Sequence, residues 1–434
     1  MTYRLIRLIG LGLLIAVFAL VAPNSAVRCE EVKIVEPPAL DKDKKKELKD
    51  LIDSYFATYD IPESLKIFNR IRKFDPVCKA DLTFFTTYCW QKVAALPKPE
   101  KAKGTIKVES PFGNTSVIIS GKPPGPKTGF FIGFHGGGAG AGDASESASN
   151  WSGMPNCVTA FPNAITLIDN AWNDPPQERF AYWLAKYIRR AVVYDTNRVY
   201  CAGHSMGGQG AYGMMLQYAD VFISACAGAG NPLIADSQDH YGDAKLLIDS
   251  FYNSSIYFYH SADDPRVAFA PVKDWANVFA GLKKQYPEGY DYVFSEYKDN
   301  GHGLAKEGLS KCMEWMWTHA RNPRPKKIRW RTYRPWKQHF YWLYDLQPKR
   351  LDLIEAEYTG KQEVKVTAKD TAGLISVLFN DKLVDPKLPV TVSCNGKQVF
   401  SGLLVRSVSA MVASIREYED PEYVYTSRVD IELP

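Results

Sequence analysis

Between residues 41 and 95 the apolar positions recur at three- and four-residue spacing. Leu48, Leu51, Ile52 and Tyr55 follow the charged run 41–46, and Leu65, Phe68, Ile71 and Phe74 repeat the spacing after Pro62; a third apolar stretch covers 82–96. That period gives each of successive helices one apolar face, so a small helical region is predicted. It ends in Pro97-Lys98-Pro99-Glu100-Lys101, the composition of a linker.

Past the linker, short apolar runs alternate with amphipathic stretches. Strands are predicted at 116–120, 129–134, 164–168, 198–202, 222–225, 255–260 and 290–297, and helices at 178–193, 205–218, 272–285 and 304–320. This alternation is the mark of an α/β fold: a mostly parallel sheet covered by helices on both faces. Asn322-Pro323-Arg324-Pro325 closes the region. Beyond it the pattern turns β-rich, with strands at 328–333, 339–344, 362–368, 374–379 and 422–432, one helix at 407–418, and Asn395-Gly396 joining 390–394 to 397–400 as a tight hairpin. The expected division is therefore a leader over 1–28, a helical region and linker over 29–105, an α/β domain over 106–322 and a small β-rich accessory domain over 323–434.

The leader reading rests on Arg4 and Arg7, the uncharged apolar run 8–21 and the small residues Ser25 and Ala26. That is the order of a secretory signal, which implies export to the periplasm or medium and no stable membrane insertion after cleavage. A membrane anchor is the competing reading, because the apolar run falls just short of a bilayer span. Arg28 beside Cys29 makes a poor site for lipid attachment.

Composition narrows the chemistry by exclusion. The formal net charge of +5 is shared over 434 residues, Arg4 and Arg7 leave with the leader, and nucleic acid is not implied as a partner. The eight cysteines form no C-x-x-C pair, so neither a zinc ribbon nor a thioredoxin-type site is supported. Cys78 and Cys89 are close enough in sequence to bridge, whereas Cys201, Cys226 and Cys394 sit in apolar runs and read as buried thiols. H-E-x-x-H spacing and a dinucleotide fingerprint are both lacking. No metal and no cofactor is expected.

The chemistry-bearing stretch is Gly203-His204-Ser205-Met206-Gly207 between a predicted strand and a predicted helix. In that context Gly203 and Gly207 permit a turn too tight for side chains, and Ser205 stands exposed at a helix N-terminus as a nucleophile. A second element, His135-Gly136-Gly137-Gly138, follows the strand 129–134. Gly136, Gly137 and Gly138 allow close backbone approach to a developing oxyanion, with the Met206 N–H as the other donor. A phosphate-cradling turn is the poorer alternative, because no Lys-Ser or Lys-Thr follows. Of the seven histidines, His302 lies in Asp299-Asn300-Gly301-His302-Gly303, between the last predicted strand and helix of the α/β region, where an imidazole can reach Ser205. His319 at a helix end reads as structural. The acid follows the strand 255–260, where Asp263 and Asp264 compete.

These motifs resemble the α/β-hydrolases of the esterase, dienelactone hydrolase and prolyl-oligopeptidase-like branches over roughly residues 106–320. The H-G-G-G run, the G-H-S-M-G-G elbow, an H-G-x-x-D-x-x-V acid turn and a G-H-G base turn occur in that order. Here the acid turn reads His260-Ser261-Ala262-Asp263-Asp264-Pro265-Arg266-Val267. Ser261 replaces the family's glycine and Asp264 takes the matching place, so the resemblance implies Asp264 as the orienting acid. An exported catalytic domain with a β-rich extension is also similar to bacterial phospholipase/carboxylesterase-like hydrolases.

The resemblance implies an exported serine hydrolase, with a carboxylic ester of a small molecule or an acylated polymer as substrate. A prolyl-oligopeptidase-like peptidase and a non-catalytic glycan-binding shell are the alternatives. Trp151 and Trp172 lie in expected loops beyond sheet strands and are candidates for lining the substrate pocket. Residues 324–350 are dense in Arg, Lys, Trp and Tyr. Aromatics packed between domains with solvated basic groups are the preferred reading there, and a sugar- or polyanion-binding face is the alternative.

Overall fold

A computed structural model describes residues 36–137, 141–369 and 371–433. The predicted leader over 1–28, Cys29 and Gly138 lie outside the described residues. Three helices come first: α1 (Lys42–Ala57), α2 (Ile61–Ile71) and α3 (Lys79–Ala95). Asp41 and Asp60 cap the first two by accepting from the Lys44 and Glu63 N–H groups, each 2.8 Å away. The buried faces of α1 and α2 carry Leu48, Ile52, Phe68 and Ile71, as the spacing predicted.

The α/β region runs β1 (Gly104–Ser110), β2 (Gly113–Gly121), β3 (Gly129–Phe134), α4 (Ala144–Trp151), β4 (Cys157–Pro162), α5 (Pro175–Arg189), β5 (Val199–His204), α6 (Met206–Tyr218), β6 (Ser224–Gly228), α7 (His240–Leu247), β7 (Ser255–Ser261), α8 (Ala270–Gln285), β8 (Asp291–Tyr297) and α9 (Leu309–Trp317). The strands form one eight-stranded sheet in the order β1-β2-β4-β3-β5-β6-β7-β8. β2 is antiparallel to both its neighbours, and the pairs from β4 to β8 are parallel. Every residue of β3, β4, β6 and β7 is buried, because helices cover both faces of the parallel part. The sequence pattern is legible here for that reason.

Two expectations fail in this region. The strand predicted at 164–168 is a loop, in which Leu167 is 71% and Ile168 48% exposed; the actual strand is β4. Pro162 and Asn163 end β4, and the Asn163 carboxamide is used on the Ala144 N–H and Ser116 Oγ. The helix predicted from 304 begins only at Leu309, because Gly308 adopts φ +87° and interrupts the turn.

The C-terminal strands are β9 (Lys327–Arg331), β10 (His339–Phe340), β11 (Leu343–Asp345), β12 (Leu353–Tyr358), β13 (Glu363–Lys369), β14 (Gly373–Phe379), β15 (Val390–Cys394) and β16 (Lys397–Gly402), followed by α10 (Val408–Tyr418) and β17 (Ser427–Leu433). They make two sheets, β10-β11-β14-β17 and β16-β15-β13-β12-β9. The single strand expected over 339–344 is a hairpin that turns at Tyr341, φ +54°. Asn395 and Gly396 both have positive φ (+49° and +79°), the requirement of the turn read from the sequence.

One hydrophobic core joins all these parts. It runs from Leu48 and Phe68 through Phe130 and Tyr212 to Trp342 and Met411, and residues from Glu36 onward form one compact unit. Trp330, Tyr341, Trp342 and Tyr344 are buried in it, as the packing reading of 324–350 expected. The basic groups correct that reading. Arg329, Arg334 and Lys337 are 6%, 3% and 2% exposed and pair with Asp249, Glu178 and Asp220 at 2.7, 2.9 and 2.8 Å. A cation held under aromatic cover needs such a partner. The Cys78–Cys89 bridge does not form: both are free, buried thiols, as are Cys201, Cys226 and Cys394. Among the described residues no helix is long and apolar enough to cross a membrane.

Candidate active site

β5 runs straight into α6, and Ser205 between them has φ +59° and ψ −123°. Non-glycine residues hold that conformation only where surroundings impose it. Gly203 and Gly207 show what imposes it. A Cβ on Gly203 would lie 2.3 Å from the Gly207 carbonyl, and one on Gly207 2.2 Å from the Phe134 carbonyl oxygen. Two strand-to-helix crossings are thus pressed together, leaving Ser205 at the N-terminus of α6, where the first N–H groups, Met206 among them, lack intrahelical acceptors. Met206 itself is buried.

The loop after β3 lies against this turn. A Cβ on Gly136 would be 3.2 Å from the His204 carbonyl oxygen and 3.5 Å from the Ser205 Cβ. Gly137 has φ +74°, and a Cβ there would lie 2.6 Å from the Gly142 nitrogen. The buried His135 fixes the loop: its Nδ1 donates to the Gly136 carbonyl at 2.8 Å and its Nε2 accepts from the Ala164 N–H at 3.1 Å. The Trp172 indole donates to the His135 carbonyl at 3.0 Å.

Trp172 is therefore a buttress behind the loop, 2% exposed, rather than a pocket wall. Trp151 is 0% exposed, in a separate core cluster with Phe131 and Phe161. The structure places neither on an accessible surface, so the pocket reading of both tryptophans is corrected. Their indole bulk is spent on the two faces of the sheet.

His302 and Asp264, the expected base and acid, come from turns after β8 and β7. His302 Nε2 accepts from Ser205 Oγ at 2.8 Å, and its Nδ1 donates to Asp264 Oδ2 at 2.7 Å. The Asp264 side chain is 0% and that of His302 11% exposed. Burial would raise the Asp264 carboxyl, but the bonds from His302 and from the Arg266 and Val267 N–H groups hold it below the usual aspartate range. Asp263 faces the other way. It accepts from the Asn300 and Gly301 N–H groups at 3.1 and 2.8 Å and from the Ser261 hydroxyl, so it clamps the turn that carries His302.

Two more groups support the base, and sequence reasoning did not find them. His204 Nε2 donates to the His302 carbonyl at 3.3 Å, and its Nδ1 accepts from the Tyr259 hydroxyl at 3.1 Å. Glu307 accepts from Ser295 Oγ at 2.5 Å and from the hydroxyls of Tyr257 and Tyr297. Burial opposes its charge, yet the three hydroxyls bring its pKa down to about 2. Nothing in the spacing of Glu307 marks it, because its partners come from two different strands.

Ser205, Asp264 and His302 thus occur in that chain order on the turns of one doubly covered sheet, hydrogen-bonded in a row. The chain has an α/β-hydrolase fold. No family model and no curated protein matches it. Among solved structures it is similar to a thermostable esterase, at 16% identity and TM-score 0.37, over 50% of this chain and 63% of that one. Est1E from Butyrivibrio proteoclasticus is matched at 13% identity and TM-score 0.36, over 50% of this chain and 97% of that one. A phospholipase/carboxylesterase from Dyadobacter fermentans DSM 18053 is matched at 16% identity and TM-score 0.34, over 46% and 95% of the two chains. The likeness is confined to about half of this chain and does not extend to substrate.

Among the described residues no cluster of His, Cys, Asp or Glu could hold a metal ion. His240 donates its Nδ1 proton to the Ile234 carbonyl, and His319 bonds the Trp315 carbonyl and Asp291, the structural role expected of it.

Proposed function

We propose that the protein is an exported serine hydrolase of carboxylic esters, working through an acyl-enzyme on Ser205. The observation that carries this reading is the unbroken hydrogen-bond chain from Asp264 through His302 to Ser205, at 2.7 and 2.8 Å. As Ser205 Oγ bonds the ester carbonyl carbon, its proton passes to His302 Nε2, and Asp264 stabilises the imidazolium through Nδ1. The carbonyl oxygen takes the negative charge and meets the Met206 N–H at the head of α6 and the N–H groups of the Gly136-Gly137 loop. His302 returns the proton to the departing alcohol oxygen. Water then attacks the acyl carbon with His302 again as base, releasing the acid and restoring Ser205.

The test is turnover of 4-nitrophenyl acetate together with covalent labelling by a fluorophosphonate. Ser205→Ala should lose both, with kcat reduced by about 10⁶. Equal turnover by the variant, or an unlabelled but folded wild type, would overturn the assignment. Cleavage of peptide amides with esters left untouched would place the same chemistry in a peptidase instead.

A further inference from the structure

A cavity of about 90 Å³ lies where the α1–α2 turn, α5 and α10 meet, and none of Ser205, His302, Asp264 or the 135–137 loop lines it. Its walls are flat and aromatic, with Phe112, Tyr182, Trp183 and Trp336 all contributing. Three cations, Arg179, Lys186 and Arg416, share this lining. The Arg179 guanidinium stacks 4.6 Å from the Phe112 ring centre and 5.2 Å from that of Trp336. Lys186 Nζ sits 4.7 Å from the Tyr182 ring centre.

What the cations lack is an anion. Arg179 donates to the Tyr59 carbonyl at 2.7 Å, and Lys186 to the Glu417 carbonyl at 2.9 Å. Arg416 donates to the Thr58 carbonyl and to Ser64 Oγ. These bonds use a minority of the five N–H donors of each guanidinium and the three of the ammonium. Among the described residues no carboxylate forms an ion pair with any of the three. Glu419 is taken by Arg190 at 2.7 and 2.8 Å. The Glu417 carboxylate acts on Arg179 and Lys186 only at longer range.

The fully buried cations Arg321, Arg329, Arg334 and Lys337 each have a carboxylate at 2.9 Å or less. Arg179, Lys186 and Arg416 are half-buried, and although Glu417 and Glu419 line the same cavity neither carboxylate pairs with any of the three, which leaves three cations with unused donors beside an aromatic-walled space. Burial also lowers the Lys186 ammonium to about 8 against the pull of Glu419 and Glu417, so an arriving anion would find a cation in need of a partner.

We propose that this cavity is a binding site for a small aryl carboxylate, separate from the Ser205 centre. The ring would stack among Trp183, Trp336 and Tyr182, and the carboxylate would accept from Lys186 and Arg179.

Benzoate and its neutral isostere benzamide, titrated calorimetrically into the full chain, test this. Benzoate should bind at one site and benzamide about tenfold more weakly or worse, since a bond to a charged group is the difference. Lys186→Met should weaken benzoate about tenfold while leaving ester turnover unchanged. Glu417→Gln keeps the carbonyl that Lys186 uses and removes the competing carboxylate, so it should tighten benzoate severalfold. That opposite sign is independent of whether Lys186→Met folds. Equal affinity for benzoate and benzamide, no benzoate binding up to about 20 mM, or Glu417→Gln weakening benzoate would overturn the proposal.

Discussion

The rings of His204 and His302 lie 5.0 Å apart, centre to centre, and His204 is the one held neutral. Burial, reinforced by the positive charge that His302 can carry, lowers its pKa from 6.5 to about 4. In that state Nε2–H donates to the His302 carbonyl and holds the turn that carries His302.

That shift fixes a pH dependence of stability. The folded pKa lies below the unfolded one, so between pH 6.5 and about 4 the unfolded chain binds more protons. His204 therefore contributes stability that is complete above the unfolded pKa and is lost as pH falls toward the folded one. The full shift corresponds to about 3 kcal/mol. His204→Gln, which retains a donor, should show a flatter Tm against pH between 6.5 and 4 than the wild type. The buried His260 and His339 are shifted in the same direction, so the variant curve should flatten without becoming level. An unchanged slope would remove His204 as a contributor.

The paired aspartates give opposite outcomes under the same substitution. Asp264→Asn loses the acceptor that fixes the His302 tautomer, and kcat should fall by about 10⁴ with little change in Tm, the precedent for such a triad. Asp263→Asn loosens the turn by weakening its hold on the Asn300 and Gly301 N–H groups. Its cost should be a lowered Tm and a far smaller loss of kcat. Steady-state kinetics and thermal melts on the two variants distinguish them. A reversal, with Asp263→Asn inactive and Asp264→Asn near wild type, would assign the acid to the other residue.

The elbow, the base turn and the acid turn were legible in the sequence because their constraints are local. Gly203, Gly207 and Ser205 sit within five residues, and β3, β5 and β7 are continuous apolar runs buried on both faces. What the sequence withheld depends on contacts between distant segments. Trp172 reads as a loop aromatic until its indole is seen on the His135 carbonyl. The run 164–168 has strand composition but pairs with no strand and leaves Leu167 and Ile168 exposed. Arg334 and Lys337 read as solvated charges because Glu178 and Asp220 lie more than one hundred positions away in the chain.

Glu307 provides a test of how far the base turn depends on its anchor. Three hydroxyls converge on its carboxylate, so Glu307→Gln exchanges an acceptor for a donor facing Ser295, Tyr257 and Tyr297. A stability loss of about 1–3 kcal/mol is expected, with reduced kcat and nearly unchanged KM, because the turn from Asn300 to Gly308 carries His302 and no other triad member. Because the Glu307 pKa is lowered to about 2, the wild type keeps this contribution above the ordinary glutamate range and loses it as pH falls toward 2. The glutamine variant should lack that acid-range slope in denaturation measured from pH 5 downward. A variant with wild-type kcat would show that the turn holds without the carboxylate.

The buried pair of Lys337 and Asp220 ties the β-rich segment to the end of α6, and its energetics can be separated by a double-mutant cycle. Lys337 Nζ lies 2.8 Å from Asp220 Oδ2, with side-chain exposures of 2% and 0%. The Tyr418 hydroxyl donates to the same oxygen at 2.7 Å. The rings of Tyr218 and Tyr418 lie 5.3 and 5.5 Å from the ammonium. Lys337→Met fills the aliphatic space but leaves Asp220 charged and buried with a hydroxyl in place of a cation. That should cost about 3–5 kcal/mol in urea denaturation. Asp220→Asn alone leaves the buried ammonium with an uncharged amide oxygen and ring faces, and should be comparably destabilising. In the double variant neither charge remains, so stability should return to within about 1–2 kcal/mol of wild type, a coupling far larger than independent sites allow. Additive losses would show that the two side chains act through packing alone. Ester turnover at saturating substrate should change little in all three variants, because neither residue touches the turns that carry Ser205, Asp264 and His302.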